Sequence, residues 1–143
     1  MSMAEEISFK NQVTWTEGAK GEIAFPSGAR VEFALPAEFG GVEGFTSPED
    51  LYVAAANACV LTTTLARVKK YDVALRSYRS EAVGVLERME DGREMTKIEI
   101  KVRLNADGDP ETLMEMFADV ADKVPVIRSM STSVSIDFEV EPE

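Results

Sequence analysis

Apolar and polar residues alternate with period two towards both ends of the chain, and a long stretch of helical character lies between them. Ile7 to Trp15 reads as a first strand, with Ile7, Phe9 and Trp15 apolar against Lys10 and Gln12. Gly18-Ala19-Lys20-Gly21 is a turn signal. Glu22 to Phe25 and Ala29 to Leu35 form a hairpin around Pro26-Ser27-Gly28, and its second arm sets Val31, Phe33 and Leu35 on one face. A loop from Pro36 to Thr46 leads into a helix start. Ser47 is a natural N-cap, Pro48 suits the first helical position, and Glu49 and Asp50 complement the positive helix end. Asp50 also stands at the capping-box spacing from Ser47, with Asp in place of Glu. The helix is expected from Pro48 to about Lys69, ending before Tyr71-Asp72.

The second half repeats the pattern. Leu75 to Glu87 is strand-like, and Glu90-Asp91-Gly92 carries the favoured Asp-Gly turn pair. Thr96 to Leu104 alternates cleanly, with Ile98, Ile100, Val102 and Leu104 inward and Lys97, Glu99, Lys101 and Arg103 outward. Asp109-Pro110-Glu111 opens a second helix whose buried stripe is Leu113, Met116, Phe117, Val120 and Val124, and Pro125 should stop it. A last strand, Thr132 to Val140, points Val134, Ile136, Phe138 and Val140 inward. This order predicts a single α+β domain over residues 1–143 with mostly antiparallel pairing.

Composition narrows the chemistry. Apolar residues make up 45% of the 143, enough for a buried core, and no apolar run approaches the roughly 20 residues of a membrane helix. Met1 to Glu6 carries two acids and no apolar stretch, unlike a secretory signal, so a cytoplasmic location is expected. The net charge of −11 repels phosphate backbones and anionic lipid, so neither nucleic acid nor membrane is an expected partner. With no histidine, Ser-His-Asp and Cys-His catalysis are excluded within one chain. With one cysteine, Cys59, neither the usual zinc site nor an intramolecular disulfide can form, and no metal or cofactor is expected.

Cys59 sits in the long helix. Leu51, Ala54, Ala58, Leu61, Leu65 and Val68 make one apolar stripe, expected to be buried. The face around Cys59 holds Tyr52, Ala55, Ala56, Thr62, Thr63 and Ala66, and no charge falls between Asp50 and Arg67. Two helices and six strands cannot easily cover such a helix, so a second copy of the chain is expected to cover part of it, giving a homodimer. A buried cysteine commonly acts as a small hydrophobe. To react it needs a nearby cation, because the helix dipole fades after the first turn.

The run from Thr46 through Ser47-Pro48-Glu49 to Asn57-Ala58-Cys59 resembles the core motif of the OsmC/Ohr proteins, the osmotically inducible and organic-hydroperoxide-resistance family. In that family a Pro-Glu pair opens a long central helix and a peroxidatic cysteine follows ten residues after the Glu, as Cys59 follows Glu49. The resemblance implies an OsmC-like α+β fold, an intertwined homodimer with two sites at the interface, and thiol-dependent reduction of peroxides, with an external thiol as reductant. Cys59 matches the peroxidatic cysteine and Glu49 the orienting glutamate. Ten helical residues span about 15 Å, so the Glu49 that reaches a given Cys59 would come from the partner chain. Two positions depart from the pattern. Val124 stands where a resolving cysteine is normal, and the turn that should hold an arginine offers only Lys20, with Arg128 as a second candidate cation.

Two functions compete on this scaffold. One is a one-cysteine peroxidase, with an apolar acceptor pocket built from Phe39, Phe45, Tyr52, Met114 and Met116. The other is a non-catalytic protein that binds a hydrophobic small molecule at the dimer interface. A weaker third idea is an anion cradled by the amides of Gly40 to Gly44, opposed by Glu43, Glu49 and Asp50.

Overall fold

The computed structural model describes residues 5–142, so Met1–Ala4 of the N-terminal stretch lie outside the described residues. The described chain falls into two compact units, one ending at Leu51 and one beginning at Tyr52. The boundary lies in the first turn of the long helix.

The first unit is a three-stranded antiparallel sheet in the order β1-β2-β3, formed by β1 (Gln12–Glu17), β2 (Lys20–Ala24) and β3 (Arg30–Ala34). Strand β1 starts five residues later than the alternation predicts. The ladder explains this: its register runs from Gln12 opposite Ala24 to Glu17 opposite Lys20. Beyond Ala24 the chain turns at Pro26, leaving no strand opposite Ile7 to Asn11. Lys20 and Gly21 belong to β2 rather than to the turn. Every residue of β1 is exposed, Trp15 at 75%. After β3, Ala34 donates to the Thr46 carbonyl at 2.9 Å, which fixes the start of the long helix against the sheet's last strand.

The long helix, α1 (Pro48–Val68), has the expected boundaries. Its start is a reciprocal cap. The Asp50 amide donates to Ser47 Oγ at 3.1 Å, while the Ser47 amide and hydroxyl donate to the Asp50 carboxylate at 2.8 and 2.9 Å. At its end Val73 donates to the Val68 carbonyl at 2.9 Å and Asp72 to that of Lys69 at 3.3 Å, with Asp72 left-handed at φ 52°. This is the Schellman pattern, with aspartate where glycine is usual.

The second unit contains β4 (Leu75–Met89), β5 (Gly92–Ala106), α2 (Pro110–Lys123), α3 (Pro125–Arg128) and β6 (Ser133–Val140). Its sheet runs β4-β5-β6, with β4–β5 antiparallel and β5–β6 parallel. The parallel pair needs a crossover, which α2 and α3 supply. The fold is thus α+β with mostly antiparallel pairing, as the alternation predicts. Its core is also the expected one: Ile98, Ile100, Val102 and Leu104 are at most 1% exposed, and Leu113, Met116, Phe117, Val120 and Val124 are buried with them. Phe117 stacks flat on Phe138 with ring centroids 4.5 Å apart. Val140, expected inward, is exposed where β6 runs out at the sheet edge.

The buried side of α1 is a correction. Among its residues Ala56, Val60, Thr63 and Thr64 are buried, whereas Ala54, Ala58 and Leu65 are exposed. The middle of the expected stripe is thus outward, half a turn away, while Leu51, Leu61 and Val68 are half-buried, Val68 against the core. On the inward face helix and sheet approach closely. A Cβ on Gly84 of β4 would lie 2.4 Å from Val53 Cγ2. The helix is also long and apolar enough to cross a membrane by length and composition alone, contrary to the count of apolar runs. Its threonines interrupt the run on paper only, since Thr62 and Thr64 return their hydroxyls to the Cys59 and Val60 carbonyls at 3.1 and 2.8 Å.

Candidate functional site

Cys59 lies in the fourth turn of α1 as a free, half-buried thiol at the edge of the second unit's core. The helical rotation explains this border position. Ala56, Val60 and Thr63 turn into the core, while Ala55, Thr62 and Ala66 turn outward. The sulfur is therefore neither sealed in hydrocarbon nor fully in water.

Two hydrogen-bonded links hold this part of α1 to the sheet. On one flank the Ser80 hydroxyl of β4 donates to Asn57 Oδ1 at 2.7 Å. On the other, Tyr52 and Thr132 hydroxyls are 2.6 Å apart, and Thr132 donates onward to the Met95 carbonyl at 2.9 Å. Thr132 has one proton to give, so Tyr52 is the donor in the first bond. Neither link has a sequence signature, because the partners are 80 and 23 residues apart. A third polar group nearby on β4, the Tyr78 hydroxyl, is shielded from water with no hydrogen-bond partner among the described residues. Burial pushes its ionisation up, and Ser80, whose hydroxyl is spent on Asn57, offsets only part of this.

Glu49 occupies the first turn of α1, where its charge suits the helix dipole. One of its carboxylate oxygens, Oε1, is shielded from water and has no hydrogen-bond partner among the described residues. A shielded carboxylate oxygen without a donor is costly. The two candidate cations have other engagements. Lys20 pairs with Glu17 at 3.3 Å and lies 5.0 Å from the centre of the Phe45 ring. Arg128, exposed on α3, donates to the Asp122 carbonyl at 3.3 Å and so closes off the end of α2. Val124, the position that the resemblance assigns to a resolving cysteine, is fully buried between α2 and α3.

The expected acceptor pocket does not assemble as drawn. Met116 is buried in the core while Met114, two residues away on α2, is 67% exposed, so they occupy opposite sides of that helix. The Gly40 and Gly41 amides are likewise committed, donating to the Ala37 and Pro36 carbonyls at 3.2 and 3.0 Å. Gly41 is required there for space, since a Cβ would fall 1.5 Å from the Leu35 carbonyl oxygen. These glycines shape the loop, and their amides are not free for an anion.

The family model described as OsmC-like protein matches residues 41–139. The chain belongs to the OsmC-like family. Solved structures agree on the fold. An OsmC-like protein of unknown function from Vibrio cholerae superposes with a TM-score of 0.81 at 20% identity, covering 95% of this chain and 100% of that one. An organic hydroperoxide resistance protein from Elizabethkingia anophelis, with crystallant-derived thiocyanate bound, gives 0.76 at 16% identity over 99% of this chain and 100% of that one. The organic hydroperoxide resistance protein OhrB of Bacillus subtilis gives 0.66 at 22% identity, covering 93% and 98%. A comparison with curated proteins finds no match.

Proposed function

We propose that the protein is a thiol-dependent organic hydroperoxide reductase that works through Cys59 alone. The observation that carries this reading is the half-buried free thiol of Cys59 in α1 of a chain that belongs to the OsmC-like family, ten residues after Glu49 as the resemblance implies. Fold neighbours named as organic hydroperoxide resistance proteins support the substrate class. The Cys59 thiolate attacks the outer peroxide oxygen and the O–O bond breaks. The alkoxide leaves and takes a proton to become the alcohol, and Cys59 is left as a sulfenic acid. An external thiol then forms a mixed disulfide with Cys59 and releases water. A second external thiol regenerates the Cys59 thiol and leaves as the external disulfide.

The unit that acts is a homodimer in the cytoplasm, where thiols stay reduced. Its support is the outward apolar stripe of α1 and the bare strand β1. The orphaned Oε1 of Glu49 supports the same arrangement, in which Glu49 orients the thiol of the other chain. Lys20 and Arg128 are the candidate cations for holding the thiolate.

The test follows the loss of cumene hydroperoxide with dithiothreitol as reductant, for the protein and for Cys59→Ser. Turnover that disappears in the variant is expected, and equal rates in the two proteins would remove the reading. The second reading, a binder of a hydrophobic molecule at the dimer interface, is favoured by the burial of Val124 and the pairing of Lys20 with Glu17. It predicts equal rates together with saturable uptake of an apolar fluorophore.

A further inference from the structure

The outward face of the β4–β5 ladder holds a pocket of about 140 Å³ lined by Arg79, Ser80, Glu81, Lys101 and Arg103. The register sets Arg79 directly opposite Arg103 and Glu81 directly opposite Lys101. Two guanidinium groups facing each other across an antiparallel pair repel, so their presence needs a reason. Glu141 and Glu139 relieve the repulsion only from outside. Each engages an Nε, at 3.2 Å on Arg79 and 3.6 Å on Arg103, in exposed pairs of little strength. The terminal nitrogens of both forks make no hydrogen bond among the described residues, and neither does the Lys101 ammonium, although Glu81 of β4 and Asp137 of β6 stand opposite it. The Ser80 hydroxyl is turned to Asn57. In a chain of net charge −11, three cations thus converge on one small cavity with donors unspent.

We propose that this pocket binds a phosphate group, free or as the head of a small monoester. Forked guanidinium donors match the oxygens of a tetrahedral oxyanion, and Lys101 adds a point charge. Glu81 selects among oxyanions. It repels a fully deprotonated one, but it accepts the P–O–H proton that phosphate retains around and below neutral pH and that sulfate lacks. The cavity is too small for a nucleotide base as well, so the ligand is the phosphate and little more.

Calorimetric titration of the full chain at pH 6.5 and low, constant ionic strength tests this, with inorganic phosphate and sulfate as probes. Saturable binding of phosphate is expected, with sulfate weaker by about tenfold, the difference made by one charge-assisted hydrogen bond. Lys101→Ala and Arg103→Gln should each weaken phosphate by about tenfold or more with unchanged circular dichroism. Glu81→Gln should bring sulfate up towards phosphate. Phosphoethanolamine separates the two sources: tighter binding than phosphate marks a monoester head, and equal or weaker binding marks the free ion. Equal heats from phosphate, sulfate and added chloride, or phosphate binding that survives both Lys101→Ala and Arg103→Gln, would overturn the proposal.

Discussion

At the scale of single residues, shielded polar atoms without partners carry the most information. The Tyr78 hydroxyl is shielded from water and makes no hydrogen bond among the described residues, with only a weak offset from Ser80. Replacing it by hydrogen removes a desolvated group rather than a bond. Tyr78→Phe is therefore expected to leave stability unchanged or raise it by up to about 1 kcal/mol in urea unfolding. A clear loss would mean that the hydroxyl has a partner. The places of Glu49 and Cys59 on α1 were readable from the sequence because cap, helix and thiol keep fixed spacings along one element. Tyr52 was readable only as a member of the Cys59 face. Its bond to Thr132 was not readable, because a hydroxyl pair 80 residues apart leaves no periodic trace.

Elements were legible where one face alone is apolar. Strand β5 and helix α2 alternate cleanly, and their buried residues are those the pattern names. Helix α1 is apolar nearly all round, so periodicity does not say which side meets the sheet. The close approach of Val53 to Gly84 of β4 marks the side that does. Gly84→Ala probes that approach, because the new methyl would meet Val53 Cγ2 at 2.4 Å and Met95 Cε at 2.9 Å. It should cost about 1–3 kcal/mol in urea unfolding, and a second change, Val53→Ala, should return part of it.

The far end of the same helix is tied to α2 through Asp119. Lys70 and the Tyr71 hydroxyl donate to its carboxylate at 3.0 and 2.9 Å, with Arg67 Nε 3.4 Å away. The bond from Lys70, then that from Tyr71, holds the Asp119 carboxyl below its ordinary value. A carboxylate lowered on folding stabilises the fold above its unfolded value, and the contribution fades as pH falls through the folded one. Asp119→Asn should therefore lower the urea midpoint at pH 7, and the gap to the parent should close as the solution is acidified below the carboxylate range.

For the whole molecule, the decisive surface is the outward stripe of α1. Leu65 is 48% exposed there, and Trp15 of β1 is more exposed still. Apolar surface of this kind calls for a cover, and a second copy is the proposed one. Light scattering after size exclusion should give twice the chain mass at micromolar concentration. Leu65→Glu should shift it to the single mass with the helical circular dichroism kept. A single mass for the parent protein would contradict the dimer. The sequence pointed to the proposed dimer through a helix with no charge between Asp50 and Arg67, and Ala54, Ala58 and Leu65 of its apolar stripe are left exposed.

Val124 has a longer reach than its place in the core implies. A fully buried valine stands at the position that the resemblance gives to a second sulfur, and Cys59 is the only cysteine in the sequence. On the proposed peroxidase reading, no internal disulfide can cut the oxidised state of Cys59 short. Its lifetime then tracks how often small reductants arrive from the surroundings, so the protein would keep a brief chemical memory of how scarce they are.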